Sequence, residues 1–243
     1  TASEFYQIQQ SDTPLPTTSA PSPGAFLEAY KNASQNAGSI LCITLSSQLS
    51  AAYSSALLAM NYFSDEFPDV KIRVIDSQAA GTAEGLLVLE IARIASKGTE
   101  FDPLLEYTES RIGSVYMAAY LETLYYIWRG GRIPRIALWM SKLFKIRPIL
   151  EFSEGHIGLV ERPRSSRLAI KKLVTRTKEK VGNNPVRVAI IHAGATQQAI
   201  ELQGNVNKAL NPVESFISEL APVIGAHTGP GLVGCAVQIV HKP

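Results

Sequence analysis

Residues 39–50 read Ser39-Ile40-Leu41-Cys42-Ile43-Thr44-Leu45-Ser46-Ser47-Gln48-Leu49-Ser50. The first part is a short apolar run, which suits a buried strand. Residues 44–50 then form a hydroxyl-rich turn, and a helical pattern follows over about residues 51–63. The same unit recurs downstream. Residues 71–76 read as a second strand ending in Asp76-Ser77, followed by a helix over about residues 83–97. Asp102-Pro103 supplies an N-cap and first position for a further helix to about Arg111. Strand, loop and helix in alternation are the signature of a parallel sheet. Ligands of open α/β sheets bind outside the carboxyl ends of the strands, so both hydroxyl-bearing turns fall where a site is expected.

Upstream lies Pro16-Thr17-Thr18-Ser19-Ala20-Pro21-Ser22-Pro23-Gly24. Its prolines fix φ and remove backbone donors, so the loop cannot wander far. Ser22 suits an N-cap and Pro23 the first helical position, with Ala25-Phe26-Leu27 opening an amphipathic helix. A rigid hydroxyl loop before a helix can cradle an anion or a carboxylate. The same hydroxyls can also serve only the backbone. Before this loop the chain is polar and strand-like from Thr1, and a preceding N-terminal piece is expected.

The pattern changes after Ile112. Residues 114–120 read as a strand, residues 121–128 as a helix closed by Gly130-Gly131, and residues 136–144 as a short helix. Residues 146–152 and 157–161 look like a hairpin across Glu154-Gly155. Residues 166–180 form a basic amphipathic helix, 186–192 an apolar strand with a helix after it, and 213–220 and 233–240 two further strands. The expected architecture is α/β with two lobes. Residues 1–112 make the first, with a mainly parallel sheet and the hydroxyl-rich loops. Residues 113–243 make the second, with a six-stranded mixed sheet, and the ligand site lies between them.

Composition narrows the function. The chain has 243 residues, 46% hydrophobic and 18% charged, which is ordinary for a soluble domain. A net charge of +2 argues against a nucleic-acid partner, although residues 129–135 are locally basic. No apolar run reaches ~18 residues and no signal peptide is visible, so a cytoplasmic protein without an integral membrane segment is expected. Cys42 and Cys235 sit in apolar runs and read as small core residues of a reduced compartment. His156, His192, His227 and His241 lack metal-ligand spacing, so neither metal nor cofactor is expected.

Catalytic motifs are sparse. There is no Gly-x-Ser-x-Gly elbow, and no histidine lies in a pattern that marks a base. A hydrolase or transferase using Ser50 is the alternative to a binding protein. Gly229-Pro230-Gly231-Leu232-Val233-Gly234 matches a dinucleotide fingerprint by letter, but strand-like sequence follows where a helix is required. Residues 225–231 read instead as a tight loop whose glycines allow close approach to a ligand or another segment. His227 either donates to an anion there or braces the loop. Arg129-Gly130-Gly131-Arg132 is either an anion-binding turn or a helix C-terminus with glycine as the stop.

Taken together, seven segments in order resemble the bacterial DegV family. The loop at 16–24 resembles its PTTSQPSPG, and Ser46-Ser47-Gln48-Leu49-Ser50 its SSxLSGTY. Asp76-Ser77 resembles its DS after a strand, and residues 124–133 its LxYLxxGGRI. Arg147-Pro148-Ile149-Leu150 resembles KPIL, Ile191-His192-Ala193-Gly194 resembles IHAG, and residues 222–231 resemble PVIGTHTGPG. In two respects the chain departs. The family usually begins some tens of residues earlier with a strand ending in Asp-Ser-Thr, which implies an exposed sheet edge here. Its SGTY reads Ser50-Ala51-Ala52-Tyr53, which loses a glycine and a hydroxyl.

The resemblance implies a two-lobe carrier that holds one long-chain fatty acid and performs no chemistry. Such proteins present the acid to a separate fatty acid kinase, dihydroxyacetone-kinase-like, which makes an acyl-phosphate for phospholipid synthesis. Carried over by motif, the carboxylate falls to Thr18, Ser19, Ser47, Ser50, His227 and Thr228. Arg132, Arg164 and Arg167 become candidates for a phosphate or kinase-facing surface. The physics fits that role. At about 0.8 kcal/mol per methylene, a ~15-methylene tail contributes on the order of 12 kcal/mol before ordering costs. A hydrogen bond to a charged head group adds only about 1.5–3 kcal/mol. The tail sets affinity, and the hydroxyls set orientation and register.

Overall fold

A computed structural model describes residues 1–9, 15–132, 146–153 and 155–240. The helix expected at 136–144, Glu154 of the hairpin turn and His241 lie outside them. The opening stretch forms a helix, α1 (Ala2–Gln9), not a strand. Ala2, Phe5, Tyr6 and Gln9 recur at helical spacing, and they supply its inward face. The polar residues between them hid that period.

In the first lobe, α2 (Pro23–Ser34) starts as its cap residue requires, with the Ser22 side chain accepting the Ala25 N–H at 3.2 Å. β1 (Ser39–Thr44) and β2 (Lys71–Asp76) pair in parallel, Ser39 opposite Lys71 through Thr44 opposite Asp76. On one face α2 and α3 (Ala52–Glu66) bury Tyr30 and Phe63 against Ile72 and Val74. On the other, α4 (Thr82–Ala95) and α5 (Phe101–Arg111) set Leu87, Ile91 and Leu104 against Leu41 and Ile43. Glu100, not Asp102, occupies the N-cap position of α5. The Asp102 carboxylate sits in the first turn and pairs with Lys71 at 2.7 Å.

The second lobe runs β3 (Val115–Tyr120), α6 (Tyr125–Gly130), β4 (Ile149–Ser153), β5 (His156–Glu161), α7 (Ser166–Val181), β6 (Val186–His192), α8 (Thr196–Leu210), β7 (Glu214–Glu219), α9 (Pro222–Thr228) and β8 (Val233–Ile239). Its strands order as β5-β4-β3-β8-β6-β7, and only β6 and β7 are parallel. This is the six-stranded mixed sheet expected. Helix α6 is shorter than the sequence suggests and stops at Gly131, in the left-handed region at φ 68°. Of residues 225–231, read as a tight loop, 225–228 belong to a helix that begins at Pro222.

One face of this sheet buries Ile149, Val188 and Cys235 under α7 and α8, with Leu173 and Leu202 fully enclosed. Truncating Leu173 to alanine there would cost about 2–5 kcal/mol. The opposite face meets α1, α6 and α9 through Ala119, Leu150 and Ile191. It also meets α4 through Ala83 and Leu86. Helix α4 is therefore packed on both sides, against its own sheet and against the second. A buried polar link fixes the same seam. Arg111 Nε pairs with Glu90 at 3.0 Å, and Gln238 Nε2 donates to the same carboxylate at 2.8 Å.

Candidate functional site

The loops after β1 and β2 brace each other before they offer anything to a ligand. The Asp76 carboxylate accepts the Ser47 N–H at 3.2 Å and the Gln78 N–H at 2.9 Å. Ser46 N–H donates to the Ala79 carbonyl at 2.7 Å. In the turn, Ser50 N–H donates to the Ser46 carbonyl at 3.2 Å. Ser46 is fully buried, whereas Ser47 is exposed. Ser50 lines a cleft between the lobes.

That cleft measures about 1010 Å³. Ala20, Gln48 and Ser50 of the first lobe line one side, and Arg132, His156 and Ile157 the other. A smaller apolar cavity of about 90 Å³ lies on the sheet face that looks toward the first lobe, between Gly81, Met117, Leu150, Leu220 and Ile224. Ile157 borders both spaces. The glycines at this end admit neighbouring segments. A side chain at Gly229 would overlap the Tyr126 ring, and one at Gly225 would come within 2.5 Å of Tyr6. Of the two readings that the sequence left open there, it is another segment that makes the close approach.

Thr18 and His227 meet directly, with Thr18 Oγ1 2.6 Å from His227 Nε2. Arg132 leans over the pair, donating to the Thr18 carbonyl and to Thr18 Oγ1, each at 3.4 Å. Its other nitrogen donates to the Gly130 carbonyl at 2.8 Å. The residues 129–132 thus act both as a helix stop and as a reaching cation. Burial pushes the proton affinity of His227 below the ordinary imidazole value, and the Arg132 charge adds to the effect. An imidazole, a hydroxyl and a guanidinium converge here, and the hydroxyl and the guanidinium are donors that a carboxylate can use.

The remaining predicted residues are placed differently. Ser19 is exposed, between Thr18 and the cleft residue Ala20. Thr228 turns its hydroxyl back to the Ile224 carbonyl at 3.3 Å and borders the apolar cavity. Arg164 and Arg167 are exposed at the entry of α7 and line neither space. His192 is structural, its Nδ1 accepting the Ala195 N–H at 3.3 Å. Ser50 Oγ accepts the Ala52 N–H at 3.1 Å, while His227 is committed to Thr18. No base is bonded to Ser50 among the described residues. Nor do the described residues include a His, Cys, Asp and Glu cluster able to hold a metal, or a helix long and apolar enough to cross a membrane.

A two-lobe α/β protein with a hydroxyl-bordered interlobe cleft beside an apolar cavity is the class that fold and site define. The chain belongs to the DegV family, whose model, described as "Uncharacterised protein, DegV family", matches residues 1–240. A DegV domain-containing protein of Clostridium perfringens is 31% identical over 233 residues, 96% of this chain and 82% of that protein. A fatty acid-binding protein of Thermotoga maritima is 28% identical over 242 residues, 98% and 82% of the two chains. A solved structure described as fatty acid binding of a DegV family protein from Thermus thermophilus superimposes with a TM-score of 0.90 at 28% identity. It covers 99% of this chain and 85% of that one. Fatty acid binding is thus a property of DegV family proteins.

Proposed function

We propose that this protein binds one long-chain fatty acid between its lobes and performs no chemistry on it. The observation that carries the reading is the Thr18, His227 and Arg132 cluster beside a cleft that borders an apolar cavity. Thr18 and Ser50 receive the carboxylate, with His227 beside it, Ser19 and Ser47 in the surrounding loops and Thr228 at the end of α9. Ser47 contributes through its loop, since its own N–H serves Asp76. The tail runs past Ile157 toward Met117 and Leu150. A cavity of about 90 Å³ is smaller than the several hundred Å³ usual for a ligand pocket, so the apolar wall must part to admit it. Residues 1–112 and 113–243 act as the two lobes, with α1 crossing from the first segment to the second sheet.

In this reading the loaded protein presents the acid, in the bacterial cytoplasm, to a fatty acid kinase of the dihydroxyacetone-kinase-like type. Acyl-phosphate then feeds phospholipid synthesis, and Arg132, Arg164 and Arg167 face the kinase or its phosphate. Support for a carrier over an acyl-ester hydrolase is the environment of Ser50, whose hydroxyl is bonded to its own turn and not to a base. Native mass spectrometry of the purified protein, then lipid extraction, tests the binding. An adduct released as a free long-chain fatty acid is expected. A ligand-free mass that stays unchanged after incubation with such acids would overturn the reading. Acyl-phosphate formation with kinase and ATP, lost in Arg164→Ala with Arg167→Ala, tests the presentation step.

A further inference from the structure

Helix α1 plays no part in the sequence motifs, yet it grips the helix that carries His227. Tyr6 is 2% exposed, and its hydroxyl donates to the Leu220 carbonyl at 2.8 Å. Leu220 N–H is in turn tied to the His192 carbonyl at 2.8 Å, so the ring is anchored to the end of β6. The ring lies against two glycines. A Cβ at Gly225 would stand 2.5 Å from Tyr6, and one at Gly194 would stand 3.2 Å away. Gln9, one helical turn on, donates from Nε2 to the Gly225 carbonyl at 3.1 Å. Both side chains therefore hold Gly225, two residues before His227. On the far side, α6 closes so tightly that a side chain at Gly130 would overlap His227 Nδ1.

The imidazole is thus set between α6 and Thr18 by a helix whose position α1 determines. We propose that Tyr6, assisted by Gln9, is a positioning residue for head-group recognition: it locks α9 so that His227 Nε2 stays within reach of Thr18 Oγ1 and of a bound carboxylate. The link to a carboxylate rests on the fatty-acid reading above. The positioning itself does not, because it is a property of the unliganded fold. Fixing a polar group to within a fraction of an ångström is what a buried supporting side chain accomplishes, and a binding group left loose loses its directional bonds.

The test uses the full chain with Tyr6→Ala, and Tyr6→Phe combined with Gln9→Ala, which keeps the ring packing and removes both polar grips. Two readouts are taken: the His227 imidazole titration by NMR in ligand-free protein, and affinities for palmitic acid and for hexadecanol. Tyr6→Ala is expected to raise the His227 midpoint toward the ordinary imidazole value. It should weaken palmitic acid about tenfold while hexadecanol changes by less than about twofold. The double variant should shift both readings in the same direction, and it carries the test if Tyr6→Ala does not fold. A folded variant with an unchanged His227 titration and an unchanged acid-to-alcohol ratio overturns the proposal. If the unaltered protein binds neither probe, the fatty-acid reading fails, and the ligand-free titration still decides the role of Tyr6.

Discussion

Thr18 Oγ1 lies 2.6 Å from His227 Nε2 across 209 positions of sequence, and the contact joins the proline-rich loop of the first lobe to the last helix of the second. The pair is only partly buried, and Arg132 reaches Thr18 as well. One hydroxyl therefore orients an imidazole and a guanidinium together.

Thr18→Val keeps the side-chain volume and removes that hydroxyl. A hydrogen bond to a charged group contributes about 1.5–3 kcal/mol, so affinity for a long-chain acid should fall about 10- to 100-fold, measured by displacement of a fluorescent fatty acid. Binding should persist at high ligand concentration because the tail supplies most of the free energy. An affinity within about twofold of the unaltered protein would place the head group elsewhere.

Acid should weaken the fold through its buried histidines. Burial lowers the proton affinity of His227, with Arg132 adding to it, and burial does the same at His192. Between the lowered folded values and the ordinary 6.5, the unfolded chain binds more protons. Their contribution is complete above 6.5 and is lost as pH falls through the folded values. Urea midpoints should drop on acidification, and His227→Gln should flatten the slope.

Glu84 should act in the opposite sense. Burial on α4 pushes its carboxyl from 4.5 up to about 7. The folded state then holds a proton that the unfolded chain releases. Its contribution is fully present below 4.5 and is lost as pH rises through about 7. Glu84→Gln should remove that loss, so the variant is the more stable protein at mildly alkaline pH, read by thermal unfolding at several pH values.

Gly130→Ala and Gly234→Ala should separate function from folding. At Gly130 the obstacle is the movable His227 side chain, so the variant should fold and lose head-group affinity. At Gly234 the added carbon would stand 2.5 Å from the Ala118 carbonyl oxygen, within the β3–β8 pairing. Backbone cannot yield there, and destabilisation of about 1–3 kcal/mol is expected in a denaturant titration.

What the sequence disclosed depended on whether the signal was local. Strands β1, β2 and β6 were legible because apolar runs ended at recognisable turns, and α2 because Ser22-Pro23 carries its own start. The hydroxyl loops were legible as candidates. Which hydroxyl met which partner was not, because the Thr18 and His227 contact is made by tertiary packing and no local period encodes it. Ser47 looked equivalent to its neighbours until the turn geometry gave its N–H to Asp76. Tyr6 escaped notice because polar residues separate the inward positions of α1. Its partner Gly225, in a loop read as admitting either a ligand or another segment, proves with Gly194 to be a seat for an aromatic ring.

Strand β8 comes last among the strands yet sits between β3 and β6, hydrogen-bonded to both. During synthesis, the β3-β4-β5 meander and the β6-β7 pair can each assemble as they leave the ribosome, but no strand hydrogen-bonds the two groups into one sheet until residues 233–239 arrive. A nascent chain paused before that point carries two unjoined half-sheets with open edges. It is this intermediate, more than the finished molecule, that chaperones and proteases would meet.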